Sequence, residues 1–214
     1  MCSMTMCPRN GALSPWIGAL IAALSLLLSG CGQDSKLQPL AHDAVVLAFG
    51  DSLTYGTGAN EDESYPAQLA HLIGRRIVRE GVPGEISAAG LARLPAALDE
   101  HRPRLLLLCH GGNDFLRRLP RDQAAENVRA MIRAARDRGI DVLLIGTPDI
   151  GFTLTPPEFY AGIAKEFRIP YEGDVLTRIF RNGELKSDQV HPNAKGYRLM
   201  AERVVELLRK SGAL

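Results

Sequence analysis

The sequence has no excess of charge of either sign. Lys and Arg together number 25, and Asp and Glu number 24, among 214 residues. Binding to nucleic acid relies on a field of positive charge that neutralises phosphates, and a chain this close to neutrality provides no such broad field. We therefore expect a small or lipidic partner and no nucleic acid.

The apolar run near the N-terminus is too short to cross a bilayer, which needs about 20 such residues. This run covers residues 16–28, with a lone Arg9 ahead of it and Leu-Ser-Gly-Cys, ending at Cys31, behind it. The pattern is typical of an export signal, and its end resembles the lipobox of bacterial lipoproteins. We expect residues 1–30 to be a lipoprotein signal peptide, Cys31 to carry lipid, and residues 31–43 to form a linker.

This interpretation places the protein on the periplasmic side of a bacterial membrane, held there by its lipid anchor. The alternatives are an ordinary cleaved signal peptide or a coincidental cysteine. The sequence gives no prediction of oligomeric state.

Cysteines are few, and their positions restrict their chemistry. Cys2 and Cys7 would leave with the signal peptide and Cys31 would carry lipid, so that Cys109 alone remains free. An intrachain disulfide is then impossible, and Cys109, at the end of an apolar run, is expected to be a small buried hydrophobe. The five histidines are scattered and no cysteines are paired, so we predict no metal site and no cofactor.

From Ala44 to the C-terminus, apolar runs alternate with segments of helical periodicity. This alternation is typical of an α/β domain in which helices flank a parallel sheet, and we expect one such domain over residues 44–214. The predicted strands lie at 44–49, 76–79, 104–109, 142–145 and near 169–171. The predicted helices lie at 65–73, 91–100, 121–138, 157–167, 175–180 and 194–209.

Polar residues follow the predicted first and third strands and precede the last helix. Ser52 comes directly after the first strand, Asn113 follows the third, and Asp188 and His191 lie in the loop before the final helix. Functional groups in an open parallel sheet gather at the carboxyl ends of the strands. We therefore expect a serine, an amide and an Asp-His pair along one rim.

These residue types suit nucleophilic catalysis. A serine on a sharp turn from strand to helix presents its hydroxyl to a base, and Asp188 is close enough in sequence to His191 to fix its tautomer. Taken alone, Gly-Asp-Ser is as readily a simple turn, and a loop Asp-x-x-His is usually solvated. His110 is the rival base, expected to be structural, and Asp149 is the rival carboxylate.

Acyl transfer also needs donors for the oxygen that becomes negative. The candidates are the backbone amide of Ser52, the side-chain amide of Asn113, and a glycine amide from the loop after the second strand. Gly81 and Gly84 both lie near that loop, and we choose Gly84.

Four separated segments together resemble the conserved blocks of the SGNH/GDSL hydrolases, in order and spacing, across essentially the whole mature chain. They are GDSLT at 50–54, Gly84, GGND at 111–114 and DQVHPN at 188–193. The resemblance implies a flavodoxin-like, three-layer α/β/α sandwich with about five parallel strands. It also implies Ser52 as nucleophile, Asp188 and His191 completing the triad, and Ser52, Gly84 and Asn113 in the oxyanion hole.

Within that family the chain is similar to the thioesterase I/lysophospholipase L1/arylesterase branch. This implies hydrolysis of small acyl esters, thioesters, aryl esters or lysophospholipids. Two features depart from the branch: residues 80–87 lack its usual Asn-x-Gly-x-x-Gly-Asp-Thr pattern, and the lipobox is unusual. A carbohydrate or peptidoglycan O-acetylesterase remains an alternative, as does a non-catalytic lipid-anchored binding protein on the same scaffold.

Overall fold

A computed structural model of the chain describes residues 35–151 and 153–214. The predicted signal peptide and Cys31 lie outside the described residues. Among the residues described, no helix is both long and apolar enough to cross a membrane.

Five parallel strands form a single sheet. They are β1 (Val45–Gly50), β2 (Arg76–Gly81), β3 (Leu105–Cys109), β4 (Asp141–Ile145) and β5 (Tyr171–Glu172). Their order in the sheet is β2-β1-β3-β4-β5, and all four neighbouring pairs are parallel. Because β2 lies on one side of β1 and β3 on the other, the carboxyl ends of β1 and β3 flank the point where the strand order reverses, which is where α/β sheets form a crevice.

The central strands are apolar on both faces because helices cover both. Alternate side chains of a strand point to opposite faces, so Val46 and Ala48 enter one core cluster while Leu47 and Phe49 enter the other. Strands buried in this way have continuous apolar runs, which is why periodicity in the sequence located them to within about two residues.

Eight α-helices are present in the described part of the chain. They are α1 (Ser52–Tyr55), α2 (Tyr65–Ile73), α3 (Ser87–His101), α4 (Gly112–Leu116), α5 (Arg121–Arg136), α6 (Phe159–Phe167), α7 (Val175–Arg181) and α8 (Ala194–Lys210). Helices α2, α7 and α8 pack on one face of the sheet, and α3, α5 and α6 pack on the other. The prediction of a three-layer α/β/α sandwich is confirmed.

The predicted helix ends agree with the structure to within two residues, with two larger differences. Helix α3 begins four residues before the predicted Leu91, because the carboxylate of Asp114 accepts hydrogen bonds from the backbone N–H and the hydroxyl of Ser87 at 2.8 and 2.6 Å. This acceptor comes from a distant part of the chain and leaves no local pattern. Helices α1 and α4 were not predicted, because one turn of helix is too short to show periodicity.

Part of the predicted linker packs against the end of α8. The N–H groups of Leu37 and Leu40 donate to the carbonyl oxygens of Ser211 and Ala213, each at 2.9 Å, and both leucine side chains are buried. Nearby, the N–H of Gln38 donates to the carboxylate of Asp141, the first residue of β4. This segment therefore lies at the edge of the sheet where the strands begin.

Candidate active site

Ser52 lies on a tight turn between β1 and α1. The carboxylate of Asp51 accepts a hydrogen bond from the N–H of Leu53 at 3.0 Å and so caps the helix that Ser52 begins. Gly50 precedes this turn, and a Cβ there would lie 2.0 Å from the carbonyl oxygen of Cys109 on β3. Only glycine fits, because the neighbouring strand passes too close for any side chain.

The structure brings Ser52, His191 and Asp188 into one hydrogen-bonded chain. The Nε2 atom of His191 is 3.0 Å from the Ser52 hydroxyl, and its Nδ1 atom is 2.8 Å from Oδ2 of Asp188. An ionised carboxylate can only accept, so Nδ1 carries the hydrogen and Nε2 is free to accept the hydroxyl proton. This arrangement can activate the serine as a nucleophile.

Asp188 also folds the loop that carries the histidine. Its Oδ1 atom accepts hydrogen bonds from the N–H groups of Val190 and His191, both at 2.8 Å. Burial would raise the pKa of Asp188, but the hydrogen bonds from the His191 ring and from the two amides outweigh it and lower the pKa below its usual value. The carboxylate is therefore ionised at neutral pH.

Two backbone donors near the serine are available to a ligand. Within the described residues, the N–H groups of Ser52 and Gly84 have no hydrogen-bond acceptor, and both residues line one cavity. Gly84 has a φ of +78°, in the left-handed region that glycine adopts without strain.

Asn113 lines the same cavity, but its amide nitrogen already has two acceptors. They are Oδ2 of Asp51 at 3.1 Å and the carbonyl oxygen of Glu85 at 3.0 Å. These bonds fix the orientation of the amide. To donate to an oxyanion, Asn113 must share a hydrogen with one of them.

The rival base and carboxylate are bonded elsewhere. His110 is fully buried; its Nδ1 accepts from the N–H of Gly111 and its Nε2 is 3.1 Å from a carboxylate oxygen of Glu85. Asp149 forms an ion pair with Arg121. His110 was expected to be structural, but its partner Glu85 was not predicted from the sequence.

Asp51 is a further site residue that the sequence analysis did not single out. It is buried, and burial raises the pKa of its carboxyl group. Its two oxygens serve both the helix cap at Leu53 and the amide of Asn113. The only signal in the sequence is its place immediately before the serine.

The cavity beside Ser52 has a volume of about 220 Å³, below the roughly 300–1,000 Å³ of typical small-molecule sites. Thr57 and Thr147 also line it, but the rest of its wall is mainly apolar: Leu53, Pro83, Leu116, Ile150, Phe180 and Val190.

In the parts of the chain that the structure describes, no group of three or more His, Cys, Asp or Glu side chains could hold a metal ion. Cys109 is buried and is not part of a disulfide.

The fold and the crevice beside Ser52 are those of a parallel α/β domain with a mainly apolar site at the carboxyl ends of its strands. The chain belongs to the GDSL-like lipase/acylhydrolase family, whose model matches residues 48–199. It is a hydrolase that acts on ester bonds.

Known relatives match the chain along most of its length. Esterase TesA of Pseudomonas aeruginosa is 30% identical over 202 residues, covering 86% of this chain and 98% of that protein. Thioesterase 1/protease 1/lysophospholipase L1 of Escherichia coli K12 is 28% identical over 172 residues, covering 77% and 83%. Among solved structures, the SGNH-hydrolase family esterase AlinE4 superposes with a TM-score of 0.61 at 30% identity, covering 80% of this chain and 98% of that one.

Proposed function

We propose that the protein is a serine esterase that uses Ser52 as nucleophile, His191 as general base and Asp188 as the residue that orients the histidine. The hydrogen-bonded chain from the Ser52 hydroxyl through His191 to Asp188, with distances of 3.0 and 2.8 Å, carries this proposal. A base must lie within hydrogen-bond reach of the proton it removes, and His191 does.

The reaction then proceeds in two halves. His191 takes the proton of Ser52 as the oxygen attacks the acyl carbonyl, and Asp188 stabilises the imidazolium that results. The N–H groups of Ser52 and Gly84, with the Asn113 amide, receive the negative oxygen. His191 gives its proton to the departing alcohol or thiol, and water repeats the sequence to release the acid and regenerate the serine.

The apolar cavity supports small acyl or aryl esters and thioesters as substrates. Its 220 Å³ suits a short acyl chain or a single ring, and most of its wall offers no polar partner for a sugar hydroxyl. The relatives' names include esterase, thioesterase and lysophospholipase. Rates on aryl esters, acyl-CoA chains, lysophosphatidylcholine and acetylated peptidoglycan will rank these classes, and a clear preference for acetylated peptidoglycan would contradict this assignment.

The proposed localisation depends on Cys31. Lipidation there would hold the protein at the periplasmic side of the membrane, and Cys31→Ala should abolish the incorporation of labelled palmitate that the wild type shows. Equal labelling of the two proteins would contradict the anchor. The proposed active site lies at the carboxyl ends of the strands, whereas Leu37, Gln38 and Leu40 pack where the strands begin.

The decisive test of the catalytic assignment is Ser52→Ala. It should abolish hydrolysis of p-nitrophenyl butyrate while leaving the thermal transition nearly unchanged, because the side chain makes no contact that the fold requires beyond its bond to His191. Labelling by a fluorophosphonate, with the modified peptide mapped to Ser52, separates an enzyme from a binding protein on the same scaffold. Retained ester hydrolysis in Ser52→Ala would refute the assignment.

A further inference from the structure

Behind the oxyanion donors lies a cluster of charged and polar side chains, formed by Glu85, Arg93 and His110. Arg93 donates from Nε and Nη2 to the two oxygens of Glu85 at 2.8 and 3.0 Å. His110 approaches the same carboxylate with Nε2 at 3.1 Å. The Glu85 side chain is only 7% exposed, so its carboxylate depends on the Arg93 charge and on the hydrogen bonds from these two partners in place of water.

The tautomer of His110 follows from its second contact. Its Nδ1 atom accepts a hydrogen bond from the N–H of Gly111 at 3.1 Å, so the ring hydrogen lies on Nε2 and is donated to Glu85. The ring is wedged against α3, because a Cβ on Gly90 would lie 2.2 Å from Nε2. The Glu85 carboxylate thus accepts hydrogen bonds from Arg93 and from a His110 ring whose position is fixed by packing.

The backbone of Glu85 connects this cluster to the oxyanion donors. Its carbonyl oxygen accepts from the amide of Asn113 at 3.0 Å, and its N–H closes a turn onto the carbonyl oxygen of Val82 at 3.1 Å. Gly84 lies within that turn. Whatever fixes Glu85 therefore fixes both the orientation of Asn113 and the direction of the Gly84 N–H.

A simple stabilising ion pair is a weak explanation for this cluster. Burying charges costs several kcal/mol per ion, and apolar residues of similar size often stabilise as well or better. Arg93 also lies over the ring of Phe49 with its Cζ 4.0 Å from the ring centre and bonds the carboxylate of Glu80. These bonds attach the loop that carries Gly84 and Glu85 to its surroundings at several points. We interpret the cluster as fixing the position of that loop, since its contribution to stability alone is small.

We propose that Glu85 is a positioning residue for ester hydrolysis: held by Arg93 and His110, it keeps the Asn113 amide and the Gly84 N–H aligned on the oxyanion. The inference rests on the proposed function, because it assumes that these groups receive the negative oxygen. It adds that their alignment depends on a carboxylate that never touches the substrate.

The primary test is Glu85→Gln, which keeps the size of the side chain but removes its charge and one acceptor. Complete loss of an oxyanion donor lowers turnover by about 10²–10³, so misalignment should lower kcat by about 10- to 100-fold. KM should change little, since the donors act on charge that develops in the transition state. Inhibition by a trifluoromethyl ketone, which forms an oxyanion adduct with the serine, should weaken by a similar factor.

A second measurement separates positioning from general structural damage. Because Glu85 is proposed to act through both Asn113 and Gly84, Glu85→Gln should lower kcat by a smaller factor in an Asn113→Ala background than in the wild type, and the remaining loss reports the Gly84 N–H. Glu126→Gln is the matched control, because Glu126 forms an exposed ion pair with Arg129 away from the site, and it should have wild-type kinetics. Arg93→Lys keeps the charge but loses the two-pronged bond to Glu85, and it should lower kcat at unchanged KM even if Glu85→Gln fails to fold.

The inference is overturned if Glu85→Gln, or Arg93→Lys in its place, has a wild-type kcat and inhibitor affinity. It is equally overturned if the loss in kcat is the same with and without Asn113. Failure of the proposed function is distinguished by Ser52→Ala. If Ser52→Ala is active, the proposed catalytic triad is wrong. If Ser52→Ala is inactive and Glu85→Gln is fully active, only the positioning role of Glu85 is wrong.

Discussion

Asp188→Asn should disable His191 as a base while leaving its loop folded. The asparagine oxygen can still accept from the N–H groups of Val190 and His191, which bond Oδ1 at 2.8 Å in the native loop. The new NH₂ group replaces Oδ2, the atom that lies 2.8 Å from Nδ1 of the histidine. Two donors cannot share a hydrogen bond, so the ring hydrogen must move to Nε2, where it faces the Ser52 hydroxyl and blocks proton removal.

The size of the effect depends on how open the site is. For a buried triad aspartate the same change lowers kcat by about 10⁴. The side chain of Asp188 is 53% exposed, so water can serve as an alternative acceptor and part of the population can retain the productive tautomer. We expect a loss of about 10³, which corresponds to about 4 kcal/mol of transition-state stabilisation.

The assay is kcat on p-nitrophenyl butyrate together with the rate of fluorophosphonate labelling, and both should fall in parallel. Thermal unfolding should shift little, because the backbone bonds of the loop are retained. Asp122→Asn, an exposed position on α5, is the control and should behave as the wild type. A kcat within a few-fold of wild type for Asp188→Asn would refute the assignment of the orienting carboxylate.

Three further predictions concern the supports of the site. Gly58 has a φ of +99°, and in Gly58→Ala the new Cβ would lie 2.1 Å from the hydroxyl of Ser187. This overpacking should lower the free energy of unfolding by about 1–3 kcal/mol and lower kcat, because it moves the loop that carries His191. An unchanged melting temperature and kcat would contradict this prediction. The buried hydroxyl of Tyr160 donates to the carbonyl oxygen of His110 at 2.7 Å. Its removal in Tyr160→Phe should lower the free energy of unfolding, measured in urea, by about 1–3 kcal/mol. A change near zero would show that this hydrogen bond does not stabilise the fold. Burial alone would raise the pKa of Glu85, but hydrogen bonds from His110 and Arg93 outweigh it and hold the folded pKa below the ordinary 4.5; its contribution is therefore complete above pH 4.5 and lost as pH falls through the folded value. The gap in melting temperature between wild type and Glu85→Gln should accordingly narrow below pH 4.5, and a constant gap would contradict the linkage.

The sheet could be predicted from the sequence because each of its central strands is a short continuous run of apolar residues. The residues of β3 are all buried and apolar, and such a run has few alternatives to a central strand between two helical layers. Helix α2 was predicted with the bounds that the structure shows, with Pro66 near its start and a left-handed Gly74 at its end. The short helices α1 and α4 depend on individual contacts such as the Asp51 cap. Their sequences are too short to contain a repeating apolar pattern from which they could be predicted.

The catalytic candidates were accessible from sequence for a related reason. Ser52 and the Asp188–His191 pair each lie in a short motif whose internal spacing has a direct chemical meaning, and the topology then brings the motifs to one rim. Glu85 and His110 lie 25 residues apart with no such motif between them. Their contact depends on how α3 packs against the end of β3, which is a property of the assembled layers.

The loop that carries Gly84 explains why charged groups are needed behind the site. Val82, Pro83 and Gly84 are exposed, so burial of apolar surface cannot hold the loop in place. Hydrogen bonds hold it instead: the Val82 N–H donates to the carbonyl of Gly50 at 3.1 Å, and Arg117 donates to the carbonyl of Gly84 at 2.7 Å. The Arg117 bond is exposed, so it competes with water and is individually weak, whereas the bonds from Arg93 to the Glu85 carboxylate join two ionised groups and are shielded from water. Donors aligned before the reaction need no reorganisation when negative charge develops, so a substrate-facing loop with little apolar anchorage gains most from a buried ionic attachment immediately behind it.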